Sequence, residues 1–280
     1  EVDEALGEKL SSIIWEGPED RLILTENAQP ALMAVSMAAI RALEGGGVSV
    51  GSAASYVAGH SLGEYSALAA AGALTLSDTA RLLRIRGKAM QAAVPVGEGA
   101  MAALLGLDFD AALAVAEEAA QGEVCQAAND NAAGQFVVSG TRAAVERACE
   151  IAKEKGAMKA VMLPVSAPFH CALMAPAADA MQAALADADL KTPVVPVVAN
   201  VVAGPVSDPE EIRKRLVEQV TGTVRWRESI QWMAANGVTE LKEIGAGRVL
   251  TGLTRRIDRS LSGSAIGSPD DIAAFLAAQS

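Results

Sequence analysis

Ser61 stands in Gly59-His60-Ser61-Leu62-Gly63, a G-x-S-x-G pattern between an apolar, strand-like run and an alanine-rich, helical run. A serine on such a strand-to-helix turn sits in a tight, strained backbone that presents its hydroxyl outward. Gly59 and Gly63 are expected to remove side chains that would otherwise block the turn. The amides opening the following helix then point at the place where an oxyanion would form. The pattern predicts an acyl-transferring nucleophile.

A nucleophilic serine needs a base, usually histidine, and this chain has 2 of them. His60 immediately precedes Ser61, and successive side chains on a strand point to opposite faces. It is therefore expected to pack or hydrogen-bond beneath the turn. His170 lies in Pro168-Phe169-His170-Cys171, after a strand predicted over 160–165 and just before a helix. Loops in that position carry catalytic groups in α/β proteins, which makes His170 the candidate base. No carboxylate stands out as a third member. The group orienting the histidine is either an acid or a backbone carbonyl, and the pattern does not choose.

Arg86 is the third candidate. On a helix running to about Ala93 it falls among Leu82, Leu83, Ala89, Met90 and Ala93, the apolar face. Arg81, Arg84, Lys88 and Gln91 are expected on the solvent-facing side. An arginine inside an apolar stripe is costly unless an anion pairs with it. One answer is a buried Asp or Glu. The sharper answer is a substrate carboxylate held bidentately by the guanidinium fork, which implies a dicarboxylic acyl group.

The elements that must position these residues alternate between strand and helix, the signature of an α/β protein. A helix is predicted over 28–43, ended by Gly45-Gly46-Gly47, and Ser77-Asp78 reads as the N-cap of the helix carrying Arg86. Val94-Pro95-Val96-Gly97 breaks that helix. Strands at 101–106, 124–128, 135–140 and 158–163 then interleave with helices at 108–121 and 143–155. That β-α-β-β-α-β order is the split βαβ, or ferredoxin-like, unit, with 129–134 as its central turn. It predicts a small subdomain over 97–164 inserted into a larger α/β domain made of 1–96 and 165–280. The larger part resumes with a helix at 173–189, a valine-rich strand at 194–202, two helices, a strand at 238–244 and a final strand–helix pair. Gly245-Ala246-Gly247 lacks both a full dinucleotide fingerprint and a P-loop lysine, and reads as a tight strand-to-helix turn.

Composition narrows the class. The 280 residues suffice for one large core with a satellite, and are 51% hydrophobic, 20% charged and 3% aromatic. No apolar run approaches the roughly 18 residues of a membrane span. The acidic start, Glu1-Val2-Asp3-Glu4, has no secretory apolar region. Cys125, Cys149 and Cys171 are too few and too scattered for a disulfide framework or zinc site. A cytoplasmic, reduced monomer is expected. The net charge of −11 argues against a nucleic-acid partner. The clusters Arg213-Lys214-Arg215, Arg225/Arg227 and Arg255-Arg256 read as solvated faces.

In these residues the chain resembles the malonyl-CoA:acyl carrier protein transacylase family of bacterial fatty-acid synthesis, over essentially its whole length. The matching motifs are Gly59-His60-Ser61-Leu62-Gly63-Glu64-Tyr65, Arg84-Ile85-Arg86-Gly87-Lys88-Ala89-Met90-Gln91, Ala128-Asn129-Asp130-Asn131, Ala167-Pro168-Phe169-His170-Cys171 and Gly245-Ala246-Gly247-Arg248-Val249-Leu250. The resemblance implies a hydrolase-like α/β domain with an inserted ferredoxin-like subdomain. It implies ping-pong transfer of a malonyl group from coenzyme A to the phosphopantetheine thiol of acyl carrier protein, with Ser61 as nucleophile and His170 as base. Arg86 matches the arginine that grips the malonyl carboxylate, the Leu62 amide an oxyanion donor, and Met90 and Asn131 substrate-side positions. Gln219 matches the residue whose backbone carbonyl orients the histidine, so no third carboxylate is needed. Phe169 matches the malonyl-selective pattern, where a bulky ring fills the space of an α-methyl branch. No cofactor is implied; malonyl-CoA and the carrier protein are substrates. Cations near Arg81, Arg84 and Lys88, or at 213–215, are candidate contacts for that acidic partner. The family pattern also opens on a strand and a Gly-Gln-Gly-Ser-Gln loop whose glutamine supplies a second oxyanion donor, and Glu1 falls after it. Loss of one such donor costs about 10²–10³ in rate.

Two other readings use the same residues. A serine thioesterase acting on acyl-CoA would need Ser61 and His170 but no carboxylate clamp, so Arg86 discriminates. A non-catalytic scaffold would keep the turn without a complete oxyanion hole.

Overall fold

A computed structural model describes residues 1–279. Its strands are β1 (Val57–Ala58), β2 (Gly99–Leu105), β3 (Cys125–Ala132), β4 (Gln135–Thr141), β5 (Lys159–Met162), β6 (Val197–Ala199), β7 (Gly204–Val206), β8 (Glu240–Ile244) and β9 (Ser262–Ile266). Among the described residues they form three sheets: β1-β6-β7, β3-β4-β2-β5 and β8-β9.

The pairing of β1 with β6 is the one that matters for the site. It is parallel, with Val57 opposite Val197 and Ala58 opposite Val198. Parallel pairing sets the C-terminal ends of both strands at one edge, so the chain segments that leave them meet. The strand β6 is buried on both faces, as parallel strands are. Val197 and Ala199 pack into a core with Leu68, Leu83, Met90 and Met181. Val198 faces the other way, onto Trp226, Ile230 and Leu253.

The helix Leu76–Ala92 buries Leu82, Leu83, Arg86 and Met90, as its periodicity predicts. Its N-cap is Thr75, whose hydroxyl accepts the Asp78 N–H at 3.0 Å, two residues before the predicted Ser77. Arg84 departs from expectation: it is buried, not solvent-facing. The reason is that the long helix Thr25–Gly45 crosses here so closely that a Cβ on Gly87 would lie 2.5 Å from Glu26 Cα. That crossing covers a second face of the helix. Arg84 Nη1 donates to Glu26 O and to Asn27 Oδ1, each at 2.6 Å, and Nη2 pairs with Glu8 at 2.6 Å. An arginine so engaged is not a docking contact for an acidic partner.

Between Gly99 and Met162 the order is strand, helix, strand, strand, helix, strand. Asp108 and Thr141 cap the two helices by accepting the Ala111 and Ala144 N–H groups. Alanines on both helices (Ala116, Ala119, Ala144, Ala148, Ala152) pack on Ala102, Leu104 and Val138 of the sheet. Residues 129–132 were expected in a turn, yet they continue β3. Their backbone is paired on both sides: Asn129 and Asp130 match Val137 and Phe136 of β4, while Asp130 N–H donates to Val224 O at 2.9 Å. This extension ties the smaller sheet to the rest of the molecule. Arg227 reinforces it with a fork onto the fully buried Asp130, Nε to Oδ1 at 2.9 Å and Nη2 to Oδ2 at 2.7 Å.

No helix among the described residues is long and apolar enough to cross a membrane.

Candidate active site

The turn that follows β1 is built by local sterics. A Cβ on Gly59 would sit 1.9 Å from Gly63 O and 2.0 Å from Gly63 C, so only glycine closes it. Gly63 differs from expectation: a Cβ there would meet nothing within 4 Å, and the residue simply opens the helix Gly63–Ala70. Ser61 has φ 53°, the left-handed region a serine adopts only when its surroundings hold it there. Asn200, first residue after β6, does the holding. Its Oδ1 accepts the Ser61 N–H at 2.7 Å and its Nδ2 donates to Gly59 O at 2.8 Å. The Leu62 N–H carries no hydrogen bond among the described residues, so it is free to meet an oxyanion beside Ser61.

His170, also at positive φ (58°), brings Nε2 to 2.7 Å from Ser61 Oγ. Its Nδ1 donates to the backbone carbonyl of Gln219 at 2.8 Å, which leaves Nε2 as the lone-pair nitrogen facing the hydroxyl. The orienting group is thus a carbonyl and not an acid. Burial, with the Arg86 charge behind it, pushes the imidazole down to about 3, so it stays a neutral acceptor at ordinary pH.

Arg86 is 1% exposed and has no ion pair among the described residues. Neutral oxygens hold it instead: Nη1 donates to Gln29 Oε1 at 2.7 Å and Nη2 to Gln219 Oε1 at 2.8 Å. The same Nη2 reaches Ser61 Oγ at 3.0 Å. Tyr65 lies beneath, its ring centroid 5.8 Å from the guanidinium carbon. The expected buried Asp or Glu partner is one residue removed. Glu64 Oε2 accepts the Gln219 Nε2 at 2.8 Å and the Asn200 N–H at 3.1 Å. Burial pushes this carboxyl up to about 7.

Ser61, His170 and Arg86 open together into a cleft of about 120 Å³. Leu62, Met90 and Phe169 line it with Thr25 and Gln29. Asn131 does not; its Oδ1 lies 2.8 Å from His60 Nε2, and His60 packs against Trp226 beneath the turn. Residues 25, 29, 64 and 200 escaped the reading from sequence. Asn200 had a signal, being polar at the C-terminal end of a valine-rich strand. Gln29 had none, since a glutamine on an amphipathic helix is ordinary.

The acyl transferase domain family matches residues 1–259. The malonyl CoA-acyl carrier protein transacylase of Escherichia coli (strain K12) is 48% identical over 277 residues, 99% of this chain and 88% of that relative. The chain belongs to the malonyl CoA-acyl carrier protein transacylase family. It is an acyltransferase. Among solved structures, the acyl-carrier-protein-S-malonyltransferase of Bartonella henselae superposes with a TM-score of 0.96 at 60% identity, covering 99% of this chain and 88% of that one. A malonyl-transacylase solved in complex with its type II PKS acyl-carrier protein gives 0.95 at 42% identity, covering 99% of this chain and 89% of that one.

Proposed function

We propose that the chain transfers a malonyl group from malonyl-CoA to the phosphopantetheine thiol of acyl carrier protein through an ester on Ser61. One observation carries the reading: Ser61 Oγ stands 2.7 Å from His170 Nε2 and 3.0 Å from Arg86 Nη2. One neighbour can take a proton and the other can hold a carboxylate.

In the first half-reaction Ser61 Oγ attacks the thioester carbonyl carbon while His170 Nε2 takes the hydroxyl proton. The carbonyl oxygen becomes an oxyanion, met by the Leu62 N–H. The C–S bond breaks, the coenzyme A sulfur takes the proton from His170, and malonyl-serine remains. In the second half the carrier's thiol gives its proton to His170 and its sulfur attacks the ester carbonyl. Ser61 leaves with that proton, and the malonyl group is on the carrier. Arg86 holds the malonyl carboxylate through both halves, and the Phe169 ring occupies the space that an α-methyl branch would need. No cofactor takes part. The architecture that supports this is a hydrolase-like α/β domain, residues 1–96 and 165–280, carrying a ferredoxin-like subdomain at 97–164. The strand order β3-β4-β2-β5 favours that description of the smaller unit.

Intact mass after mixing the protein with malonyl-CoA, acetyl-CoA and methylmalonyl-CoA tests it. A malonyl adduct is expected that disappears in Ser61→Ala. Equal labelling by acetyl-CoA would remove the clamp from the reading, and steady release of malonate without an adduct would make the chain a hydrolase.

A further inference from the structure

Gln219 is fully buried and uses every polar atom of its side chain. Its Nε2 has two hydrogens and two acceptors, Ser61 O at 2.9 Å and Glu64 Oε2 at 2.8 Å. Its Oε1 faces Arg86 Nη2. The opposite rotamer of the amide would set Oε1 against two acceptors and turn its NH₂ toward a guanidinium, which can only donate. Ser61 O belongs to the backbone and would tolerate a water in place of the amide. Glu64 Oε2 is held by the Asn200 N–H at 3.1 Å and stays an acceptor at that spot.

We infer that Glu64 is a positioning residue for the Arg86 clamp: it fixes the Gln219 amide with its oxygen toward Arg86 and so aims Nη2 at the cleft. The inference rests on the proposed role of Arg86 toward a substrate carboxylate. The arrangement also explains why no carboxylate among the described residues touches Arg86 directly. A direct ion pair would occupy the fork that the malonyl group needs, whereas an acceptor placed one residue back orders the fork and leaves it open.

The test is the ratio of kcat/KM for malonyl-CoA to that for acetyl-CoA, because a merely structural defect lowers both alike. In E64M, which removes the acceptor at similar volume, the ratio falls about tenfold or more, the factor carried by one misdirected hydrogen bond to a charged group. E64Q, which can still present an oxygen to Gln219 and Asn200, stays within about threefold of wild type by the same measure. Q219M loses the ratio as E64M does, and the double variant loses no more than either single one. An equal fall in both substrates in E64M, a wild-type ratio in Q219M, or E64Q falling as far as E64M overturns the inference. If E64M does not fold, Q219M and E64Q still decide it. Failure of the underlying reading looks different: wild type would show no malonyl preference, or R86A would keep it.

Discussion

Arg86 Nη2 donates to Ser61 Oγ at 3.0 Å, so the side chain proposed to grip the acyl carboxylate also holds the hydroxyl of the proposed nucleophile. A hydroxyl that accepts from Arg86 points its own hydrogen at the remaining acceptor, His170 Nε2. The serine is therefore pre-aligned for proton loss. On the proposed reading, an arriving substrate carboxylate would draw Nη2 away from Oγ as the oxygen turns nucleophilic.

Removing the base tests the pair. His170→Ala is expected to slow malonyl labelling of Ser61 by about 10²–10⁴-fold, the range of general acid–base catalysis. Stopped-flow or quenched intact-mass labelling measures it. A loss below tenfold would mean that another group takes the proton.

Arg86→Ala should weaken malonyl transfer about 10–150-fold, the equivalent of a charge-assisted hydrogen bond of about 1.5–3 kcal/mol. Acetyl transfer, which has no carboxylate to lose, should change far less. Arg86→Lys should not restore the malonyl rate, since a point charge cannot make the bidentate contact. Parallel kinetics with both thioesters give the answer. Equal losses would show that Arg86 acts on the serine alone.

The two buried ionisable groups give opposite pH signatures. Glu64 is raised from 4.5 to about 7, so its protonated form stabilises the fold in acid and this is lost as pH rises through about 7. His170 is lowered from 6.5 to about 3, so its neutral form stabilises the fold above 6.5 and this is lost as pH falls toward 3. Between pH 4.5 and 6.5 the two slopes oppose each other. In Glu64→Gln only the histidine slope remains. Wild-type stability relative to that variant should therefore fall by about 1.4 kcal/mol per pH unit from pH 4.5 to 7. Urea unfolding at four pH values reads the difference, and parallel curves would refute it. For the same reason the labelling rate of Glu64→Gln should show no loss centred near pH 6.5.

The two glycines of the turn should behave oppositely. Gly59→Ala forces a Cβ into the Gly63 backbone and should abolish folded, labelling-competent protein. Gly63→Ala meets open space and should leave thermal stability equal or higher by up to about 1 kcal/mol. Circular-dichroism melting of both variants distinguishes them. Destabilisation by Gly63→Ala would place an unseen constraint at the helix start.

Much of this was legible in the chain itself because it is written in local spacing. The serine turn follows from Gly59 at a strand-to-helix change, and the burial of Arg86 follows from a 3.6-residue period. The alternating order of the smaller unit follows from turn residues and caps that act within a few positions. The same period failed for Arg84, because a helix from elsewhere in the chain covers that face. Partnership across the chain lay beyond any local pattern. Gln29, Gln219 and Asn200 stand 57, 133 and 139 positions from the groups they hold. They meet them only because β1 and β6 pair in parallel and the helix Thr25–Gly45 crosses at Gly87. A periodic pattern says which face of an element is buried; only the packing of elements says what it is buried against. So the sequence determined a nucleophile-like serine at 61 and a buried arginine at 86, while the tertiary structure decided that the two meet and that neutral amides hold the arginine.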